Sequence, residues 1–110
     1  MKKDLSENQT AVFPLKTLTG YQEGAVVSRT ILDRTIGTIT LFSFDAGQGL
    51  SEHTAPFDAV VQVIDGTASI TVDGKIYEVK EGEMIIMPAN IPHSLKAEER
   101  FKMLLTMIRG

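Results

Sequence analysis

The stretch from Gly47 to Gly66 constrains this chain most. It holds a glycine turn, a short piece carrying His53, a bend at Pro56, a run from Ala59 to Ile64 that is apolar except for Gln62, and an Asp-Gly turn. Apolar runs this short, bounded by glycine and proline, suit strands and fall below the length that stabilises a helix. The same grammar continues downstream. Ala68 to Val72 alternates apolar residues with Ser69 and Thr71, Asp73-Gly74 follows, and Lys75 to Val79 resumes. Asp-Gly pairs tolerate positive φ, so Asp65-Gly66 and Asp73-Gly74 together predict a three-stranded meander. Glu81-Gly82 then turns into the apolar strand Met84 to Met87, an irregular crossing with Pro88 and Pro92, a strand from His93 to Ala97, and a last strand from Phe101 to Ile108.

Upstream, Met1 to Thr10 is polar and charged and is expected to be a mobile tail, leaving 11–110 as the folded domain. Ala11 to Leu18 reads as an extended arm, because Pro14 removes a ladder donor. Ala25 to Leu32 and Ile36 to Phe44 read as strands joined at Asp33-Arg34-Thr35. The second carries apolar groups on both faces, which predicts cover on both sides. No window sustains helical periodicity, so the fold class is all-β, a sandwich or small barrel.

At 110 residues the chain suits one domain. Its net charge of −3, with no basic block, argues against nucleic acid as a partner. No apolar run is long enough to cross a bilayer and the first residues lack a secretory apolar segment, so the expected location is the cytoplasm with no membrane partner. The absence of cysteine removes thiolate chemistry, and His53 and His93 are the only imidazoles.

Gly47, His53 and Gly66 fit the spacing G-x5-H-x-H-x3-E-x6-G, and Gly82, Pro88 and His93 fit G-x5-P-x-G-x2-H-x3-N. With these two motifs the chain resembles a small single-domain cupin of the conserved-barrel, RmlC-like type. The resemblance implies a double-stranded β-helix, or jelly-roll barrel, with the motif histidines facing each other inside it. Ala55 and Ala59 stand at the second-histidine and glutamate positions, Asn90 at a glycine, and Ala97 at the closing asparagine. Motif one therefore lacks two of its three metal-binding side chains. Asn90 is a mild departure, since asparagine tolerates left-handed backbone.

Carried onto this chain, the resemblance implies a pocket at Phe44, Ser51, His53, Ala55, Ala59, Val61, Val63 and His93. It also implies a divalent metal (Fe, Mn, Ni or Zn) on His53 and His93, an incomplete site because such ions take three or four protein ligands. A third ligand from Glu52, Asp58 or Gln62 runs against alternation if Ala59 faces inward. Three functional readings stay open. In the first, a small, mostly apolar molecule is held near His53 and His93, with no assured catalysis. In the second, the chain is a metal-dependent dioxygenase or isomerase using those histidines, which are also the candidate catalytic residues. In the third, the chain is a structural or regulatory module whose pocket is vestigial, the barrel filled by large side chains such as Phe42, Phe44, Phe57, Met84 and Met87. Surplus apolar residues in the strands at Ala25 to Leu32 and Phe101 to Ile108 predict cover by the N-terminal arm or by a second copy in a homodimer.

Overall fold

Alternation and turn chemistry together produce two facing antiparallel sheets in the computed structural model, which describes residues 4–109. The strands are β1 (Val26–Arg34), β2 (Gly37–Phe44), β3 (Gly49–His53), β4 (Asp58–Asp65), β5 (Thr67–Val72), β6 (Lys75–Lys80), β7 (Met84–Met87), β8 (His93–Lys96) and β9 (Phe101–Ile108). A five-stranded sheet runs β1-β2-β9-β4-β7 and a four-stranded sheet runs β3-β8-β5-β6. Successive strands often change sheets, which gives the jelly-roll winding and an all-β fold.

Two turns with the same sequence behave differently. Asp73 and Gly74 both have positive φ, 52° and 80°, and join β5 to β6 as a tight hairpin with Val72 opposite Lys75. At Asp65-Gly66 only Gly66 has positive φ, 77°, and the predicted hairpin is not formed. The chain instead passes from one sheet to the other, and β4 pairs with β7 and β9. A Cβ on Gly66 would fall on the Arg100 carbonyl oxygen, so this corner is where β4 leaves β9 at close quarters. The meander is thus reduced to one hairpin. The β1–β2 turn is also displaced, to Thr35-Ile36, which puts Ile36 at an exposed tip and not in the strand.

The N-terminal arm departs from its expected extended form at α1 (Leu15–Leu18), a single helical turn. The Pro14 carbonyl accepts from the N–H groups of Thr17 and Leu18 at 3.1 and 2.9 Å, closing the turn that follows the proline. Lys102, buried on β9, donates from Nζ to the carbonyls of Lys16 and Thr19, and the hydroxyls of Thr19 and Ser43 are hydrogen-bonded. This arm therefore covers part of the outer face of β2 and β9, where Leu41 and Ser43 are fully buried. Of the segment 1–10, residues 1–3 lie outside the described residues. Leu5 and Ser6 donate backbone hydrogen bonds to Thr30 and Ile31 on β1, and the Asp4 carboxylate accepts from the Asp33 N–H at 2.7 Å and from Arg34.

Cross-strand register stacks the inner face of the larger sheet into rows, because directly opposed residues share a face. Phe44 opposes Phe101; Phe42, Met103 and Val63 form the next row; Thr40, Leu105, Val61 and Ile85 the third; Thr38, Met107, Ala59 and Met87 the fourth. The first end is filled by aromatic rings, Phe44 stacked on Phe101 at 4.6 Å between centroids. The fourth row, with an alanine at its centre, cannot fill its share of the interior.

Candidate functional site

The space left by that fourth row is a cavity of about 50 Å³. The larger sheet lines it with Ala59, Val61, Met87, Met103, Leu105 and Met107; the smaller sheet contributes Leu50, His53, His93 and Leu95, and the β3–β4 connection adds Ala55. His93 therefore meets, on one chamber, the positions occupied by His53, Ala55 and Ala59 more than thirty residues earlier in the chain.

How His53 reaches it depends on a bulge. Simple alternation from Leu50 would turn Glu52 inward and His53 outward. The β3–β8 register instead steps from Leu50 opposite Leu95 to His53 opposite His93, two residues of β3 standing against one of β8. The extra residue returns His53 to the face of Leu50 and leaves Ser51 and Glu52 exposed. On β8 no irregularity is needed: His93 and Leu95 alternate inward and are both buried.

The two rings lie edge to face with centroids 4.4 Å apart. His53 Nδ1 bonds the Ser51 carbonyl at 2.7 Å and His93 Nδ1 bonds the Ile91 carbonyl at 3.1 Å. A carbonyl only accepts, so each Nδ1 carries the proton and each Nε2 of the neutral ring is left as an acceptor. Among the described residues neither Nε2 has a hydrogen-bond partner. Beyond them the lining is aliphatic or thioether, so the chamber has two polar atoms in an apolar wall. One more polar atom sits nearby: Thr38 Oγ1, in the same sheet row as Met107, is buried without a partner.

Asn90, at φ 65°, adopts the left-handed backbone that its position requires, and its N–H donates to the Ala55 carbonyl at 2.7 Å. That bond ties the β7–β8 crossing to the loop carrying Ala55. Asp58 is likewise committed to this crossing, its carboxylate accepting from the Ala89 N–H at 2.9 Å on the exposed side of β4.

Of the eight residues expected at the pocket, His53, Ala55, Ala59, Val61 and His93 line the cavity, whereas Phe44, Ser51 and Val63 lie elsewhere. Phe44 is three rows away in the aromatic stack, Val63 is buried beside Met103 but not on the cavity wall, and Ser51, next to inward Leu50, alternates outward. Of the five side chains considered as fillers only Met87 is at the cavity: Phe42 and Phe44 stack, Phe57 lies under Arg109, and Met84 is exposed. The walls come instead from Leu50, Leu95, Met103, Leu105 and Met107. The alternation of Met103, Leu105 and Met107 was visible in the sequence, but which face turned inward was not.

A divalent metal of the kind the fold family implies needs more than this set offers. Among the described residues no group of three His, Asp or Glu side chains could hold an ion. Glu52 and Gln62 are exposed, and Asp58 is bonded to the crossing. Both Nε2 atoms are poised as metal ligands are, with Nδ1 fixed by a carbonyl, yet two imidazoles do not complete a site for iron, manganese, nickel or zinc.

Fold and chamber define a class, a double-stranded β-helix with two imidazoles at its barrel chamber, His93 buried and His53 at the exposed mouth. The chain belongs to the cupin family: the Cupin domain model matches residues 40–108. A conserved protein of unknown function from Streptococcus pyogenes is 38% identical with a TM-score of 0.89, covering 100% of this chain and 96% of that one. A cupin 2 conserved barrel domain protein from Leptotrichia buccalis is 45% identical with a TM-score of 0.86, over 88% of this chain and 47% of that one. A cupin superfamily protein from Desulfitobacterium hafniense is 28% identical with a TM-score of 0.86, over 93% and 94%. No curated protein matches the chain.

Proposed function

We propose that this cupin binds a small molecule in the barrel chamber, oriented by the Nε2 atoms of His53 and His93. The observation that carries the reading is the pair of fixed imidazoles, each with Nδ1 committed to the backbone and Nε2 directed by that commitment to accept from something else. An apolar wall with a few convergent polar atoms is the usual make-up of a ligand site. A chamber of about 50 Å³ suits an occupant of a few heavy atoms, far below the ~300 Å³ at which drug-sized pockets begin. The chemistry favours a compact molecule with one or two donor groups and an apolar remainder. We place the protein in the cytoplasm as a homodimer. Among the described residues no helix is long and apolar enough to cross a membrane.

The second reading, a metal-dependent dioxygenase or isomerase, is supported by the tautomer of both rings and opposed by the missing third ligand. The test of the first is long-range 1H–15N NMR of the imidazoles during titration with isobutanol, propionamide and pyrrole. At least one is expected to move both Nε2 resonances and to raise the melting temperature, and Ala59→Leu, which fills the chamber, is expected to abolish the response. The reading falls if all three leave both Nε2 resonances unmoved at hundredfold excess.

A further inference from the structure

Two open sheets leave strand edges, and the chain guards them unequally. The edge of β1 is bulged between Thr30 and Leu32, carries Arg29, Asp33 and Arg34, and has Leu5 and Ser6 bonded along it. The edge of β3 is broken by the bulge before His53. Bulges, charges and cover are the usual protections against an added strand. By contrast β7, Met84-Ile85-Ile86-Met87, holds no charge, and among the described residues nothing pairs with its free side.

Which backbone groups point out follows from the turn before β7. The Val63 N–H donates to the Glu83 carbonyl at 3.0 Å, and the Val63 carbonyl accepts from the Gly82 N–H at 2.9 Å, a bulge with Gly82 at φ 89°. Antiparallel alternation then aims Ile85 and Met87 at Val61 and Ala59, and turns the N–H and C=O of Met84 and Ile86 to the open side. On β6 the tight hairpin pairs Val72 with Lys75, so Tyr77 and Val79 bond β5 while Ile76 and Glu78 turn their backbone groups outward. The Lys80 N–H, which faces the same way, is taken by the Glu83 carboxylate at 2.8 Å.

The two open edges border one groove of about 440 Å³, lined by Tyr77, Glu78, Val79, Glu83, Met84 and Ile85. Its apolar wall is thus rimmed by two carboxylates. Among the described residues no cation lines it, and neither Glu78 nor Glu83 forms an ion pair.

We propose that this seam binds an extended peptide segment of a partner protein, added as a strand on β7, with apolar residues against Ile85 and Val79 and a lysine or arginine beside Glu78 and Glu83. Backbone pairing supplies the affinity of such a strand, and its alternate side chains the preference. The added strand lies in the plane of the larger sheet and leaves the outer face of that sheet uncovered. The chamber takes no part, so the assignment is independent of the small-molecule reading.

The test adds acetyl-Lys-Val-Thr-Val-Thr-Val-Lys-amide to the intact 15N-labelled chain and reads amide hydrogen exchange. The Met84 and Ile86 amides are expected to slow at least tenfold, while Ile85 and Met87, already bonded to β4, change little. An edge strand pairs through alternate residues only, so of two peptides N-methylated at the valines or at the threonines, one should lose binding and the other keep it. Ile86→Pro removes an outward N–H and no bond to β4, a place where proline is tolerated, and should weaken the peptide at least tenfold. Glutamate in place of both peptide lysines should weaken binding, and Glu78→Gln/Glu83→Gln should erase that difference. No slowing at hundredfold excess, equal binding of the two N-methylated peptides, or unchanged binding to a folded Ile86→Pro would overturn the proposal; the methylated pair decides alone if that variant does not fold. Slowing at Met84 and Ile86 that grows with protein concentration alone would give the edge to a second copy and overturn it as well.

Discussion

Single residues here carry consequences set by backbone angle and close approach more than by side-chain chemistry. Gly66 and Gly74 have nearly equal positive φ, 77° and 80°, but a Cβ at Gly74 meets nothing, whereas one at Gly66 meets the Arg100 carbonyl. Gly74→Ala is expected to cost about 1 kcal/mol, the backbone penalty alone, and Gly66→Ala about 2 to 3 kcal/mol. Urea denaturation of the two variants checks the order; equal losses would mean that β9 yields freely at the corner. His53 makes the same point for the site. Its identity was legible in motif spacing, but its direction depends on one extra residue in β3, and nothing in Ser51-Glu52 announces a bulge.

At the scale of elements, the segment before β1 is held by polar contacts and offers a pH prediction. The Asp4 carboxyl is held well below its ordinary range, first by the Ser6 hydroxyl and then by the Asp33 N–H; burial opposes them, and Arg34 adds a smaller lowering effect. A depressed folded-state value means that the contribution is complete above the ordinary carboxylate range, about pH 4, and is lost as pH falls further through the folded value. The Ser6 and Asp33 amide resonances are therefore expected to move only in strong acid. Asp4→Asn should remove that transition, and a midpoint near pH 4 in the unaltered chain would show that these bonds do not bias the carboxyl. Asp45, lowered by Arg100 and then by the Gly24 N–H, titrates in the same direction and anchors the loop before β1. Tyr21 is pushed above its ordinary range by burial and by its hydrogen bond to Asp65, so the phenol stays protonated and donating.

For the whole molecule, the outer face of the larger sheet carries a second row in register: Leu32, Ile39, Thr106, Val60 and Ile86 cross all five strands. The arm covers the neighbourhood of Leu41 and Ser43, yet Ile86 and Met84 remain exposed at 62% and 55%. A twofold partner laid on this face would bury them, and this is the surface through which the proposed homodimer would form. Light scattering is expected to give twice the chain mass, falling to one chain mass in Ile86→Lys and in Val60→Lys with the fold retained. A monomeric parent protein would remove the assignment.

Much of the fold was legible because strands and turns are written locally: period-two alternation, glycine at turns, and prolines where pairing stops. Both motif histidines and the alanines between them could be placed by counting. The α1 turn escaped because four residues are too few for periodicity, and the Asp65-Gly66 corner because a turn's sequence does not say which sheet receives the next strand. Where the strands lie, apart from a residue or two at their ends such as Ile36, was decided by the sequence alone. That the rings of His53 and His93 stand 4.4 Å apart was decided by sheet order and register, since only long-range pairing makes neighbours of residues forty positions apart.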